Sequence, residues 1–63
     1  MKIFVRFFGE ECFPAVMDCD KFCCYNGVVK KVIIDGKENE FSSLVIETNR
    51  GEVIEDVFSF EVI

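Results

Sequence analysis

Four glycines divide this chain into apolar segments that have the length of β-strands. They are Gly9, Gly27, Gly36 and Gly51, and each lies in a turn-like context. Because glycine adopts positive φ at little cost, such positions are typical of turns between strands. The segments are rich in Phe, Val and Ile, which favour strands. The pattern predicts a mainly β fold: a small antiparallel sheet or compact barrel of five to six strands, in a single domain over residues 1–63.

The first segment has apolar side chains on both faces of its predicted strand. Ile3, Val5 and Phe7 alternate with a second set of side chains, which are Lys2, Phe4, Arg6 and Phe8. This alternation predicts a strand, and residues 9–11 are expected to form the turn that follows it. A strand with two apolar faces either lies centrally in a covered sheet or contributes to an interface.

The middle of the chain is predicted to contain a strand, a loop and a second strand. Residues 28–34 are rich in β-branched side chains and are bounded by Asn26-Gly27 and Asp35-Gly36, which predicts a strand. Residues 35–40 are polar and are expected to form a loop. Residues 41–48 are predicted to form the next strand.

The last two predicted strands form a hairpin. Asn49-Arg50-Gly51 suits a three-residue loop with Gly51 in the left-handed conformation, and this register places Ile46 opposite Ile54. The final strand covers residues 52–62, and on one of its faces lie Ile54, Phe58, Phe60 and Val62. Asp56 would share that apolar face, so a β-bulge at Glu55-Asp56 is expected to turn its carboxylate outward.

Residues 12–25 fit two different secondary structures. As a short helix within residues 14–24, the segment has Pro14 in its first turn and one apolar stripe, made of Cys12, Val16, Cys19 and Cys23. As β structure, residues 12–17 pair with the first strand, and residues 22–25 form a hairpin with the strand from Val28 through Asn26-Gly27. The β interpretation is favoured because Phe, Cys, Tyr and Val are poor helix formers.

All four cysteines lie within thirteen residues, at Cys12, Cys19, Cys23 and Cys24. The intervals between them are six, three and zero residues, whereas structural zinc sites usually present two pairs with two to four intervening residues. Adjacent residues of a strand face opposite sides, so Cys23 and Cys24 are poorly placed to share one ion. Disulfides are disfavoured because no secretory signal is recognisable. We therefore expect free cysteines that pack in the core, with no metal and no cofactor.

The apolar content is high for so small a domain. Hydrophobic residues make up 51% of the 63 residues, and eight of them are Phe. A domain of this size has few fully interior positions. Part of the apolar content is therefore expected on the surface, where contiguous apolar patches are typical of interfaces.

The net charge of −5 restricts the class of partner. Direct binding of nucleic acid or of an anionic membrane surface needs clustered Lys and Arg, so both are disfavoured. A basic partner protein is favoured electrostatically. No run approaches the roughly 20 apolar residues that cross a bilayer, and no leader is recognisable, so a cytoplasmic protein is expected.

The residue types argue against catalysis. The chain contains no histidine, which excludes a Cys-His catalytic pair, and it has no glycine-rich phosphate loop. Paired carboxylates can act as acid and base, and five of them crowd the C-terminal hairpin: Glu47, Glu52, Glu55, Asp56 and Glu61. However, 63 residues leave little room for a substrate pocket. We therefore expect no enzymatic activity and interpret the carboxylates as a solvated face or as an acidic surface that imitates DNA phosphates.

The short length, the acidity and the lack of catalytic groups resemble small phage-encoded inhibitor proteins as a broad category, which includes anti-CRISPR and DNA-mimic proteins. The resemblance is one of general character and involves no motif. It implies a non-enzymatic inhibitor of the phage anti-defence type. Such a protein would bind a larger protein that is basic and binds nucleic acid, and it would occlude a site on that partner.

The residues expected to bind such a partner are of two kinds. Aromatic side chains would anchor the contact, and carboxylates would steer the approach towards a basic surface. The aromatics are Phe4, Phe8 and Phe13, and the carboxylates are Glu47, Glu52, Glu55 and Asp56. Two alternatives stay open: a structural homo-oligomer whose copies cover the surplus phenylalanine surface, and a metal-binding module built on the cysteines.

Overall fold

The chain folds into one open sheet of five antiparallel strands. The computed structural model describes residues 1–9 and 13–63. The strands are β1 (Lys2–Phe7), β2 (Ala15–Asp18), β3 (Phe22–Ile34), β4 (Lys37–Thr48) and β5 (Val53–Val62), in the sheet order β2-β1-β5-β4-β3. The predicted mainly β class is confirmed. The sheet is open rather than closed into a barrel, and the described residues contain no helix.

The β interpretation of the cysteine-containing segment is confirmed for its pairing with the first strand but wrong for its hairpin at Asn26-Gly27. The helical interpretation is wrong for the described residues, 13–25. β2 pairs with β1, with Met17 opposite Ile3 and Ala15 opposite Val5. Gly9 has a φ of 101°, in keeping with the turn expected there. The rest of that turn and Cys12 lie outside the described residues.

β2 and β3 are consecutive in the chain but form opposite edges of the sheet. Only Cys19, Asp20 and Lys21 connect them. The four chain steps from β2 to β3 reach at most about 14 Å, whereas the edges of a flat five-stranded sheet lie about 19 Å apart. The sheet must therefore curl at this end, which makes one face concave. The connection is fixed by the Cys19 N–H, which donates to the Met1 carbonyl oxygen at 3.0 Å, and by the Lys21 carbonyl oxygen, which accepts from the Asn49 N–H at 2.9 Å.

The core lies on the concave side, which we call the inner face. Five buried side chains pack together there: Ile3, Val5, Cys19, Ile46 and Val57. Partly buried side chains surround them: Phe7, Met17, Phe22, Leu44, Ile54 and Phe60. Phe22 of β3 and Phe60 of β5 meet edge to face, with ring centroids 5.6 Å apart. Because the sheet curls, side chains from its different strands pack against one another and form a core without a second layer.

β4 defines the two faces of the sheet because it has no extra residue in either of its ladders. β3 has one extra residue between Asn26 and Val29, and β5 has one between Ile54 and Val57. The side chains of β4 therefore alternate regularly. Those that share the inner face with buried Ile46 are Leu44, Ser42, Glu40 and Glu38; those on the opposite, outer face are Glu47, Val45, Ser43, Phe41 and Asn39.

Asn26-Gly27 does not form the expected hairpin turn. β3 runs through it as one strand of 13 residues, with a β-bulge at this point. Space requires glycine here, since a Cβ on Gly27 would lie 2.8 Å from Val45 Cγ2 and 3.0 Å from Ser43 Oγ. The turn forms instead at Asp35-Gly36, where φ is 51° and 75°. Two positive values are typical of a type I′ turn, which Asp-Gly favours.

Residues 28–42 form a two-stranded arm that extends beyond the rest of the sheet. Residues 37–40, expected in a polar loop, pair instead with residues 31–34. β5 pairs with β4 only at Leu44–Glu47, so among the described strands none lies beside the arm. The molecule is consequently elongated, with extents of 41 × 19 × 16 Å. Because an isolated two-stranded hairpin is only marginally stable in water, the arm is the least supported part of the sheet.

The β4–β5 hairpin has the predicted register. Ile46 lies opposite Ile54, and Gly51 has a φ of 83°. The bulge expected at Glu55-Asp56 is confirmed: Asp56 has a φ of 59°, and its side chain is 56% exposed. The predicted apolar face of β5 is correct for Phe60, which packs against the core, but wrong for Phe58. A second irregularity, in the β1–β5 ladder, places the Phe58 ring against Phe41 on the outer face.

Candidate protein-binding face

In the described part of the chain no second layer covers the outer face of the sheet, although Ser43 and Val45 of β4 on this face are buried. Phe4 alternates with buried Ile3 and Val5 on β1 and therefore lies on this face. The same face includes Glu47, on the side of β4 opposite to Ile46. The sequence allowed two explanations for the second apolar face of the first strand: a covered central strand or an interface. Among the described residues, no second layer covers this face.

Three phenylalanine rings form a cluster on this face, which we call the outer aromatic cluster: Phe8, Phe41 and Phe58. Phe8 and Phe58 meet edge to face with 5.1 Å between ring centroids, and Phe41 and Phe58 are 6.3 Å apart. The Phe58 residue is 51% exposed. The rings come from the end of β1, from β4 and from β5, so only the folded sheet brings them together. The sequence identified Phe8 but neither of its two partners.

Phe4 forms part of a depression on the same face. The Arg6 guanidinium carbon lies 5.2 Å from the centroid of the Phe4 ring, a cation–π contact that holds both side chains in place. With Ser59, Phe60 and Glu61 they line a depression of about 390 Å³. Phe4 therefore contributes a half-buried wall to the outer face rather than a protruding ring.

Tyr25 and Glu47 join β3 and β4 on the outer face. The Tyr25 hydroxyl donates a hydrogen bond of 2.9 Å to Glu47 Oε1, and the Cys23 thiol lies 3.9 Å from Glu47 Oε2. The hydrogen bond to Glu47 raises the pKa of Tyr25, and desolvation and the negative charges of Glu47, Cys23 and Glu55 raise it further. The phenol is thereby held in its neutral, donating form.

Glu55 and Asp56 lie beside Tyr25, around a depression of about 300 Å³ that also touches Val45. Asp56 forms an ion pair with Lys30, with 2.9 Å between Oδ1 and Nζ. Because this ion pair is more than a third exposed on both sides, it adds little to stability. It nevertheless joins the β5 bulge to the base of the arm.

Three of the predicted binding residues lie outside the strands: Phe8, which directly follows β1, Phe13 and Glu52. Glu52 follows the β4–β5 turn, where its N–H lies 3.3 Å from Thr48 Oγ1. Phe13 precedes β2 and is 88% exposed. The structure brings Phe4, Phe8, Glu47, Glu55 and Asp56 to the outer face region.

Of the three cysteines that the structure describes, only Cys19 fits the expected core packing, with 1% of its surface exposed. Cys23 and Cys24 are exposed on opposite faces, because they pair with Glu47 and Ile46 respectively on an edge strand. The thiols of all three are free. Desolvation raises the pKa of the Cys24 thiol, and neighbouring Cys23 raises it further. Over residues 1–9 and 13–63, no group of three or more potential ligand side chains could hold a metal ion.

Comparison with known protein families, with curated proteins and with solved structures finds no match for this chain. In the described residues no helix is long and apolar enough to cross a membrane. Function therefore has to be argued from the geometry of this chain alone.

Proposed function

We propose that this protein is a non-enzymatic binding module whose outer face occupies a site on a larger, basic protein. The observation that carries the proposal is the outer aromatic cluster, in which Phe58 is 51% exposed although it contacts two other rings. Large, rigid aromatic side chains are the residues that most often anchor protein interfaces. A water-exposed cluster of them stabilises the fold less than it would stabilise a complex.

The outer face supports protein binding rather than binding of a small molecule. The inner face is filled by the core, and the outer face has two open depressions, at Phe4 and at Tyr25. Small-molecule sites enclose most of their ligand, whereas an open face with an exposed aromatic cluster can contact another protein over a wider area. The depressions at Phe4 and Tyr25 would then receive side chains of the partner.

The charges around the cluster support a basic partner. Glu47, Glu55 and Glu61 lie on or beside the outer face, and the chain as a whole carries −5. Charges at the rim of an interface mainly raise the association rate and select the partner. A nucleic-acid-binding protein offers such a basic groove, so inhibition by occupying this groove, as in phage anti-defence, is the specific form of the proposal.

The test is to capture the partner with the wild-type chain and to measure its affinity for two outer-face variants. We expect Phe58→Thr to weaken binding by about 30-fold, as for an interface hot spot. Phe13→Thr removes a more exposed ring outside the sheet and should leave binding unchanged. A partner that binds Phe58→Thr as tightly as the wild type would overturn the proposal, as would the absence of any stoichiometric partner.

Electrostatic steering can be tested with a charge-matched pair. Glu55→Lys and Glu52→Lys change the net charge equally, but only Glu55 lies beside Tyr25 on the outer face. We expect Glu55→Lys to lower the association rate more strongly and to reduce its dependence on salt. Equal association rates for both variants would contradict a role for the outer-face carboxylates.

A further inference from the structure

The arm carries a second exposed apolar surface, on the inner face of the sheet. Val29 and Ile33 of β3 lie opposite Ser42 and Glu38 of β4, and Lys31 lies opposite Glu40. We call these six side chains the arm patch. Val29 is 54% and Ile33 is 74% exposed, so the protruding hairpin has an unsupported apolar face. This surface is independent of the outer aromatic cluster.

The edge of the arm is protected against pairing with another strand. Lys30 and Lys31 stand in the middle of the free edge of β3, and the bulge between Asn26 and Val29 interrupts it. Charged residues, especially Lys, and bulges are the devices by which natural edge strands avoid edge-to-edge association. A partner of the arm would therefore pack on its face.

The charges of the arm select a second copy of the chain as that partner. Residues 28–42 contain three lysines and three carboxylates, so the charge of −5 lies entirely on the rest of the molecule. A strongly acidic or basic surface gains nothing at a neutral arm, whereas the neutral arm of a second copy meets it without net repulsion. Within the arm patch, Lys31 Nζ lies 3.7 Å from Glu38 Oε1, so positive and negative groups stand side by side next to Ile33.

We propose that two copies of this chain form a two-fold symmetric dimer by stacking their arm patches face to face. A two-fold axis that runs parallel to the strands, between β3 and β4, places β3 of each copy over β4 of the other. Ile33 and Val29 then reach their counterparts across the axis, and Lys31 of each copy faces Glu40 and Glu38 of the other. The patch is only roughly 15 Å long, because it spans five residues of each strand. The buried area is therefore at the low end for specific interfaces, and the dimer is weak. It leaves both outer faces free.

The first experiment measures molar mass by analytical ultracentrifugation as a function of concentration. The wild type should shift from monomer to dimer between about 10 µM and 1 mM, the range expected for a small interface. Ile33→Thr, which keeps a β-branched side chain, should weaken the dimer by at least about tenfold. Phe58→Thr, on the outer face, should dimerise like the wild type. A strict monomer at 1 mM, or an Ile33→Thr dimer as stable as the wild type, would overturn the proposal.

The second experiment tests the two-fold contact by mixing variants. Lys31→Glu and Glu38→Lys each place like charges across the contact, so each variant alone should dimerise more weakly than the wild type. In an equimolar mixture the heterodimer has opposite charges at both contacts and should predominate in native mass spectrometry. Lys21→Glu mixed with Glu52→Lys has the same net charges, but its substitutions lie outside the arm, so this mixture should show no such preference.

An absence of heterodimer in the first mixture, or equal heterodimer in both mixtures, would show that the arm patch is not the contact. Either result would leave the outer-face proposal standing, because that proposal is measured with Phe58→Thr and a captured partner. Circular dichroism of each variant confirms that the sheet is folded.

Discussion

Tyr25 gives the outer face a built-in spectroscopic probe. It is the only tyrosine, and the chain contains no tryptophan. Its hydroxyl is hydrogen-bonded to Glu47, which raises its pKa above the ordinary value of 10.0. Absorbance at the phenolate band and tyrosine fluorescence therefore both report on a single position between β3 and β4.

We predict that Glu47→Gln lowers the pKa of Tyr25 towards 10.0. The substitution weakens the hydrogen bond that stabilises the neutral phenol and removes the negative charge that opposes ionisation. Ultraviolet titration of the folded protein measures the shift. Glu52→Gln removes an equal charge at the β4–β5 turn and should leave the titration curve unchanged. Identical curves for wild type and Glu47→Gln would contradict the hydrogen bond.

The direction of the pH dependence follows from the sign of this shift. Because the folded-state pKa of Tyr25 is raised above that of the unfolded chain, its contribution to stability is fully present below about pH 10 and is lost as the pH rises through the folded pKa. The Glu47→Gln variant should lose less stability than the wild type in that alkaline range. Chemical denaturation at pH 8 and at pH 11 compares the two.

Gly27 occupies a place where the chain has no room for a side chain. We predict that Gly27→Ala lowers the free energy of unfolding by about 1–3 kcal/mol, the usual cost of overpacking, because its Cβ would lie 2.8 Å from Val45 Cγ2. Urea denaturation measures the loss. In the double variant with Val45→Ala the cost of Gly27→Ala should shrink, and a cost that stays the same would place the strain elsewhere.

Individual residues differed in how well the sequence predicted their place. The bulge at Glu55-Asp56 could be predicted because a carboxylate interrupted an apolar face. The place of Phe58 could not, since it depends on an irregularity in the pairing of β1 with β5, which lie at opposite ends of the chain. Cys23 and Cys24 were wrongly expected in the core, because their apolar character does not reveal that β3 is an edge strand.

At the scale of elements, two Asx-Gly pairs, one within β3 and one directly after it, had opposite outcomes. Asn26-Gly27 and Asp35-Gly36 both stand between apolar runs, and each is a strong local signal for a two-residue turn. Only Asp35-Gly36 forms one. The packing of Gly27 against Val45 and Ser43 decides the other case, and these contacts come from residues 16 and 18 positions away, which no local pattern reports.

We predict that Gly36→Val loosens the arm without unfolding the molecule. A β-branched residue at a φ of 75° is strained by roughly 1–2 kcal/mol, and none of the described strands lies beside the arm to resist its opening. Amide hydrogen exchange should accelerate at residues 30–33, while the amides of Ile46 and Val57 keep their protection. Uniform acceleration across all strands would show that the arm and the core unfold together.

At the scale of the whole molecule, a small core coexists with a large apolar surface. A domain of this size has an expected stability of about 3–9 kcal/mol, so one core residue matters greatly. We predict that Ile46→Ala, at a fully buried position, costs about 2–5 kcal/mol and leaves much of the chain unfolded. Thermal denaturation followed by circular dichroism measures this.

Ile33→Ala is the matched control for that experiment. It removes the same atoms at a position that is 74% exposed, so in dilute solution it should change stability by less than about 0.5 kcal/mol. Similar losses for both variants would mean that the arm contributes to the core.

The apolar surplus could be read from composition, because half of the chain is hydrophobic and so short a domain has few interior positions. The distribution of this surplus between the outer face and the arm could not be predicted from the sequence. It depends on the three residues that join opposite edges of the sheet, since this short connection decides which face curls inward. The sequence therefore predicted an interface and several of its residues, but not the division into an outer face and an arm.

The pairing of β1 with β5 also limits the folding rate of this protein. Ile3 pairs with Val62, across nearly the full length of the chain, whereas the arm pairs residues close to each other in sequence. Hairpins form within about 1–10 µs, but sheets with distant pairings take milliseconds to seconds. In stopped-flow refolding, Val5→Ala should therefore slow the observed rate more than Val32→Ala. We expect the hairpin of the arm to form first and β1 to pair with β5 last.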